Sequence, residues 1–215
     1  MGNIIVRMIR YLIFTYIIFT TLLTTNCKKD EDEDIPPITN TNTFSDPRDK
    51  QTYSFIKIGQ QTWMKENLKY KPKGGWYYAN GDESTRQEYG LLYTWDTACK
   101  VCPKGWHLPT EEEWQKLELY IGIDSFNLTS TTWDRAPNLG TILLKGGSSG
   151  LNLTKAGLWH STSNPPQFIQ FKSCGYYWTS TKNYDKTRLC RVISKNIERY
   201  YLFQNHGMSV RCIKD

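Results

Sequence analysis

Alternating hydrophobic and polar residues predict strands at both ends of the folded part of this chain. Near the start, a strand from Tyr53 to Ile58, the turn Gly59-Gln60 and a return strand through Met64 form a hairpin. The C-terminal third alternates in the same way and predicts four more strands: Tyr176 to Thr181, Arg188 to Ser194, Arg199 to Phe203 and Met208 to Ile213. In the last of these, Met208, Val210 and Cys212 share the inward face.

Helical spacing replaces alternation in the middle of the chain. Leu92, Trp95, Cys99 and Cys102 recur every three or four residues, so they share one face of a helix that Pro103 ends. Both cysteines are therefore expected to point the same way.

A second helix begins at Thr110 and ends at Gly122. The Thr110 hydroxyl can accept the Glu113 amide while the Glu113 carboxylate reaches back to the Thr110 amide. Glu111 and Glu112 join Glu113 in the first turn, where the helix dipole favours anions. We interpret these carboxylates as a helix start rather than as an acid/base pair or a metal site.

Two segments lack regular periodicity. Residues Lys71 to Glu88 are rich in Gly, Asn and charge and predict a surface loop. Asp124 to Phe171 is rich in Gly, Ser, Asn and Pro. Loops this long are uncommon and usually functional, so the second segment is where we expect a binding face.

The N-terminal residues predict export. Arg7 and Arg10 precede an apolar run from Tyr11 to Leu23, which is too short for a comfortable membrane span but fits a secretory signal. Cys27 follows, and the arrangement resembles a bacterial lipoprotein signal in which Cys27 carries the lipid anchor. The acids Asp30 to Asp34 resemble the segment associated with display on the outer face of the outer membrane, although a solvated charge run is the alternative.

The chain therefore divides into a signal peptide (1–26), an acidic flexible tether (27–48) and a single domain (49–215). The domain carries 22 basic and 15 acidic side chains, a net charge of +7. It contains no basic run and no nucleic-acid-binding motif, so we expect no nucleic-acid partner and interpret the charge as a surface property.

Five cysteines remain after Cys27, and an exported protein is expected to form disulfides. We predict one bridge from Cys102 to Cys212 and a second from Cys174 to Cys190, which leaves one thiol unpaired. Cys99 and Cys102 near His107 could suggest zinc, yet no second pair of ligands has the required spacing. We expect no metal and no cofactor.

Five segments together resemble the Fibrobacter succinogenes major paralogous domain, a family rich in lipoproteins. They are DKQTYSFIKIGQQTWMKENL (49–68), YGLLYTW (89–95), CPKGWHLPTEEEW (102–114), GYYWTST (175–181) and SVRCIKD (209–215). The helix start and C-terminal strands are also similar to C-type lectin-like folds, including the formylglycine-generating enzyme group. The resemblance implies an α+β domain with two helices, small antiparallel sheets, a long loop region and a bridge from the first helix to the last strand.

A fold shared this widely does not fix a function. The full calcium-and-sugar motifs of C-type lectins are missing, and the paired copper-binding cysteines of the formylglycine-generating enzymes cannot be placed. His107, His160 and His206 are not at metal spacing from one another. We therefore expect a protein that is not an enzyme.

Our leading hypothesis is a surface-exposed module that binds a glycan or a partner protein through the Asp124 to Phe171 loops. Two tryptophans in these loops could stack on a sugar or form a protein hot spot, although an equally reasonable interpretation is that they pin the loops to the core. The alternative is a structural or accessory subunit of an outer-membrane complex. The candidate ligand-binding residues are Trp133, Asp134, Arg135, Asn138, Trp159 and His160.

Overall fold

The computed structural model describes residues 42–182 and 185–215. Within these ranges the strands are β1 (Asn42–Ser45), β2 (Thr52–Ile58), β3 (Gln61–Met64), β4 (Trp76–Tyr78), β5 (Leu91–Tyr93), β6 (Trp106–His107), β7 (Leu158–His160), β8 (Gln167–Ile169), β9 (Gly175–Lys182), β10 (Thr187–Ile193), β11 (Ile197–Phe203), β12 (Met208–Ser209) and β13 (Ile213–Lys214). The α-helices are α1 (Arg86–Tyr89), α2 (Trp95–Val101), α3 (Glu111–Tyr120) and α4 (Gly140–Leu143).

The strands form three sheets, and the domain is a mixed α+β fold. One sheet has the order β1-β2-β3-β13-β6, a second has the order β11-β10-β9-β12-β5-β4, and β7 and β8 form a two-stranded ribbon. Every pairing between these strands is antiparallel except β12 with β9. The predicted strand Met208 to Ile213 is thus two short strands, because the chain crosses from the six-stranded to the five-stranded sheet between them.

Local signals predicted the hairpin and the second helix correctly. The hairpin is β2 and β3, and Gly59 adopts φ 58° in its turn. At the start of α3 the Thr110 Oγ1 accepts the Glu113 amide at 3.2 Å, and a Glu113 oxygen accepts the Thr110 amide at 2.8 Å. The capping box is confirmed, and the helix buries Trp114 and Leu117.

The first predicted helix was wrong at both ends. Leu91–Tyr93 is the strand β5, in which Leu92 pairs with Tyr77 and Ser209. Because all three β5 residues are buried, the apolar run carried no periodicity that could separate strand from helix. The helix ends at Val101, and Cys102 already has extended backbone angles. Cys99 is a free, exposed thiol on the helix, whereas Cys102 lies beyond its end and is bonded to Cys212.

The folded domain begins before the predicted boundary at residue 49. Strand β1 pairs with β2, and its Phe44 ring packs 5.8 Å from the Trp106 ring. Asp46 is fully buried and binds the Arg48 guanidinium at 2.7 Å. Residues 42–48 of the predicted tether therefore belong to the fold, whereas the signal peptide, Cys27 and the tether to residue 41 lie outside the described residues.

A disulfide ties the end of α2 to the C-terminal strands. Cys102, just after α2, bonds to Cys212 between β12 and β13, as predicted, across 110 residues of chain. The predicted Cys174 to Cys190 bridge was wrong, because both are free thiols. Cys190 lies opposite Trp178, four residues beyond Cys174, and four strand residues span about 13 Å, far more than a disulfide allows.

Helix α3 is fixed to the six-stranded sheet by a buried network of charges. Glu118 accepts hydrogen bonds from Arg135 and from Arg191, the shortest at 2.8 and 2.6 Å. Glu111 accepts from Arg191 and from Arg199, each at 2.8 Å. All five side chains are buried or nearly so. Glu111, placed by the sequence pattern at a helix start, is therefore also a core residue.

We expect loss of the Cys102–Cys212 bridge to destabilise the fold by about 2–5 kcal/mol, because the bridge closes a long loop in the unfolded chain. Denaturant unfolding of the Cys102→Ala/Cys212→Ala variant measures this cost. Cys99→Ala, which removes an exposed free thiol, is the control and should change little. Equal midpoints for the two variants would contradict the structural role of the bridge.

We expect Glu118→Gln to lower the free energy of unfolding by about 3–5 kcal/mol, because it leaves Arg135 and Arg191 with one buried carboxylate fewer. Urea unfolding at neutral pH checks this. Glu112→Gln, on the exposed side of the same helix, is the matched control, and its effect should stay within about 0.5 kcal/mol. Similar losses for both variants would show that the network contributes no more than surface charge.

Candidate ligand-binding groove

The central strands of the six-stranded sheet present different chemistry on their two faces. Because successive side chains of a strand alternate, the row Tyr177, Arg191 and Arg199 faces α3 and its charge network. The adjacent row, in which Tyr176 and Glu198 flank Val192, faces the opposite side. One face of the sheet is thus locked by buried charges. The other packs into the hydrophobic core through Trp178 and Cys190, and its part around Val192 and Glu198 borders a groove.

The β7–β8 ribbon and this part of the sheet enclose a groove of about 370 Å³. Leu158, His160 and Ile169 form the ribbon wall. The sheet wall comes from β9, β10 and β11, through Tyr176, Val192, Glu198, Tyr200 and Leu202. Gln170 and Cys174, at either end of the turn after β8, close one side. We call this cavity the aromatic groove, and its volume is in the range of small-ligand sites.

The groove also contains polar side chains, among them Gln170, Tyr176 and Tyr200. The Tyr176 hydroxyl donates to Gln170 Oε1 at 2.9 Å, which fixes the amide. Burial, followed by the charge of Glu198, raises the pKa of Tyr200. Tyr200 therefore keeps its proton, and 38% of the residue is exposed, so its ring and hydroxyl are accessible.

Two stacked histidines lie at the ribbon side of the groove. The His160 and His206 rings are 4.6 Å apart, and His206 Nδ1 accepts the Ser161 amide at 3.1 Å. Burial, followed by the neighbouring His160, lowers the pKa of His206 to about 4. His206 is therefore neutral at physiological pH and serves as a fixed support for the His160 ring.

The free thiols are poorly suited to nucleophilic chemistry. Burial, followed by Glu198, raises the pKa of Cys174 in the groove. Burial also raises the pKa of Cys190, to about 12. The Cys99 residue is exposed, but its thiol is partly covered, and this raises its pKa to about 11. Since the thiolate is the reactive form, these cysteines are protonated at neutral pH.

The six predicted ligand-binding residues do not form one site. His160 lies in the aromatic groove, but its neighbour Trp159 points to the other side of β7. There the Trp159 ring packs 4.9 Å from Tyr77 and 4.7 Å from Phe168. These contacts fit the interpretation that Trp159 pins the loops to the core.

The other four predicted residues lie in the loop between α3 and α4. Arg135 is buried against Glu118 and is not available to a ligand. Asn138 has φ 64°, and its amide donates to Asn196 Oδ1. Trp133 is 69% exposed, and Asp134 beside it is exposed. Because Arg199 on the α3 side of the sheet donates to Thr129 O, this loop is held on the face opposite the groove.

Sequence reasoning missed Gln170, Cys174, Tyr176, Glu198 and Tyr200 as groove residues. A signal for two of them was present in β11. Glu198, Tyr200 and Leu202 alternate with Arg199, Tyr201 and Phe203, so neither face of this strand is purely apolar. A strand with polar and aromatic residues on both faces indicates that one face serves something other than the core.

Three further observations on the described ranges concern metal binding, membrane-spanning helices and His107. No group of three or more His, Cys, Asp or Glu side chains there is arranged to hold a metal ion. No helix there is long and apolar enough to cross a membrane. His107 bridges Glu113 and Asp215, at 2.9 and 2.6 Å, so it ties α3 to the segment after β13.

A family model, the Fibrobacter succinogenes major domain, matches residues 56–214. The chain belongs to this family. Comparisons with curated proteins and with solved structures gave no match. The matched range contains α3, the disulfide and every residue of the aromatic groove.

The lowered pKa of His206 makes stability depend on pH. The unfolded chain takes up a proton near pH 6.5, whereas folded His206 does so only near pH 4, so the native state loses stability as pH falls through this window. NMR titration of the ring should give a midpoint near 4. The His206→Asn variant keeps an acceptor but cannot titrate, so its stability should vary less between pH 4 and 6.5. A midpoint near 6.5 would contradict this account.

Proposed function

We propose that this protein is a non-catalytic, surface-exposed binding module, and that the aromatic groove is its site for a glycan. The observation that carries the proposal is the combination of an accessible aromatic ring, Tyr200, with Glu198 and Gln170 in one open groove. A sugar ring has apolar faces that pack on aromatic side chains, and hydroxyl groups that need acceptors and donors. The groove offers both.

The arrangement of the sheet supports a preformed site. Tyr176, Val192 and Glu198 lie on three adjacent strands, and Arg191 and Arg199, on the opposite face, are held by Glu111. The floor of the groove therefore does not need to order itself when a ligand binds. Preorganisation of this kind lowers the entropic cost of binding.

Two observations support binding rather than catalysis. The groove thiol of Cys174 has a raised pKa and is not an activated nucleophile. His160 stacks on His206 and contacts Ser163 through Nδ1 at 2.5 Å, and no carboxylate among the described residues orients its ring as in a Ser-His-Asp triad.

We further propose that the domain has a C-type lectin-like fold and is displayed at the cell surface by a lipid on Cys27. The signal-like residues 1–26 and the acids after Cys27 support this location. The family and the α+β architecture are compatible with the fold.

One observation favours a second function, that of an accessory subunit of an outer-membrane complex. Tyr120, Phe126 and Trp133, at or after the end of α3, are 66%, 77% and 69% exposed. Exposed aromatics of this size are typical of protein interfaces. Pull-down from outer membranes with a Phe126→Ser/Trp133→Ser variant tests this role, and unchanged partners would argue against it.

We expect Tyr200→Ala to weaken glycan binding about tenfold, because truncation removes the accessible ring of the groove. The measurement is a glycan array with the full chain in detergent, followed by titration calorimetry on the glycans that bind. Tyr201→Ala is the matched control. Tyr201 is the next residue of β11 and is similarly exposed, 42% against 38%, but its side chain lies on the opposite face.

Equal weakening by the two substitutions would mean that the groove is not the binding site. If no glycan on the array binds the unsubstituted protein, the glycan assignment should be dropped.

A further inference from the structure

A second cavity, of about 270 Å³, is rich in positive charge. Three lysines border it, Lys145, Lys155 and Lys172, together with Glu88 and Thr154. We call this cavity the lysine pocket. It lies outside the aromatic groove, and none of the sequence motifs pointed to it.

Backbone hydrogen bonds hold the three lysines together. The Lys145 amide donates to Leu153 O, and the Lys172 amide donates to Lys155 O, each at 2.9 Å. The segment from Leu153 to Lys155 is thus flanked on both sides by lysine-bearing segments. Lys172 has φ 63°, so a tight turn presents its side chain here. The three lysine side chains repel one another because they carry like charges, and the backbone hydrogen bonds keep them close nonetheless.

The carboxylates of the described residues neutralise only part of this charge. Glu88 lies 3.3 Å from Lys145, and both side chains are largely exposed. Within residues 42–182 and 185–215, Lys155 and Lys172 have no ion-pair partner, although Lys172 lies over the Phe171 ring at 5.4 Å. The pocket carries a net charge of about +2 from these groups, and it can receive an anion.

The buried guanidinium of Arg211 is connected to the lysine pocket through hydrogen bonds. Arg211 is fully buried, and the acceptors of its guanidinium are the carbonyls of Met64, Leu151 and Asn152 and the Asn67 Oδ1, at 2.6 Å. These acceptors are all neutral.

The Asn67 amide links Arg211 to Thr154 through hydrogen bonds. Its Nδ2 donates to Thr154 Oγ1 at 2.9 Å, so the Thr154 hydroxyl accepts one hydrogen bond on the protein side. No acceptor for the Thr154 hydroxyl proton lies among the described residues, which leaves that proton to donate into the pocket. Chains of hydrogen bonds polarise one another, so Arg211 strengthens Thr154 as a donor.

We propose that the lysine pocket binds a carboxylate or sulfate group of an acidic saccharide. Lys155 and Lys172 supply the charge, and the Thr154 hydroxyl supplies a directed donor. The saccharide assignment rests on the proposed function. Gln170 and Cys174 border the aromatic groove, while Lys172, in the same turn, borders the lysine pocket. One ligand lying across this turn can reach both.

The first experiment tests the anion site without any saccharide. Inorganic sulfate is titrated into the full chain in detergent, and amide NMR resonances are followed. We expect saturable shifts at Thr154, Lys155 and Lys172, which disappear in Lys155→Gln/Lys172→Gln. Lys57→Gln/Lys104→Gln removes the same charge elsewhere and should leave the shifts intact. The absence of saturable shifts at these residues in the unsubstituted protein would overturn the proposal.

The second experiment tests the source of the anion. A panel of uronate and sulfated oligosaccharides is compared with their neutral counterparts, the methyl esters and desulfated forms. We expect at least one acidic member to bind about tenfold more tightly than its neutral form, and Lys155→Gln/Lys172→Gln should abolish the difference. Thr154→Val should reduce the preference, and Thr154→Ser should retain it.

The outcomes separate this inference from the proposed function. Tyr200→Ala should weaken acidic and neutral forms equally, because it affects the groove alone. Equal binding of both forms, unchanged by the lysine substitutions, would overturn the acidic preference and leave the glycan function standing. Sulfate shifts without binding of any saccharide would support an oxyanion site and overturn its assignment to a saccharide.

Discussion

The structure depends on buried ion pairs between helix α3 and the six-stranded sheet. Glu111 and Glu118 lie two turns apart on α3, and between them they bind Arg135, Arg191 and Arg199. Charges removed from water must be paired, so α3 has little freedom to shift on the sheet. Arg191 of β10 and Arg199 of β11 are thereby tied to the helix, and on the other face of these strands Val192, Glu198, Tyr200 and Leu202 line the aromatic groove. The same alternation of side chains therefore produces both the rigid face and the binding face.

Features that depend on a few neighbouring residues could be predicted from the sequence. The hairpin of β2 and β3 and the capping box at Thr110 are local. The Cys102–Cys212 bridge followed from placing one cysteine near a helix end and the other on an inward strand face. The buried role of Glu111 could not be predicted, because its partners Arg191 and Arg199 lie 80 or more residues away.

The groove could not be predicted for a related reason. Trp159 and His160 are adjacent in sequence, and the loop composition suggested that both face a ligand. Once β7 forms, alternation packs Trp159 against Tyr77 and Phe168 and leaves His160 in the groove. The partners of His160 across the groove, such as Tyr200, come from a strand about 40 residues later, so only the folded sheet brings them together. The same holds for the three lysines, which meet through backbone pairing that leaves no sequence motif.

The most direct test of the account is a crystal structure of the protein with a bound oligosaccharide. The account predicts a sugar ring against Tyr200, with polar contacts to Glu198 and Gln170, and an acidic substituent directed at Lys172 and Thr154. A saccharide held at the exposed aromatics Phe126 and Trp133, with the groove empty, would contradict it.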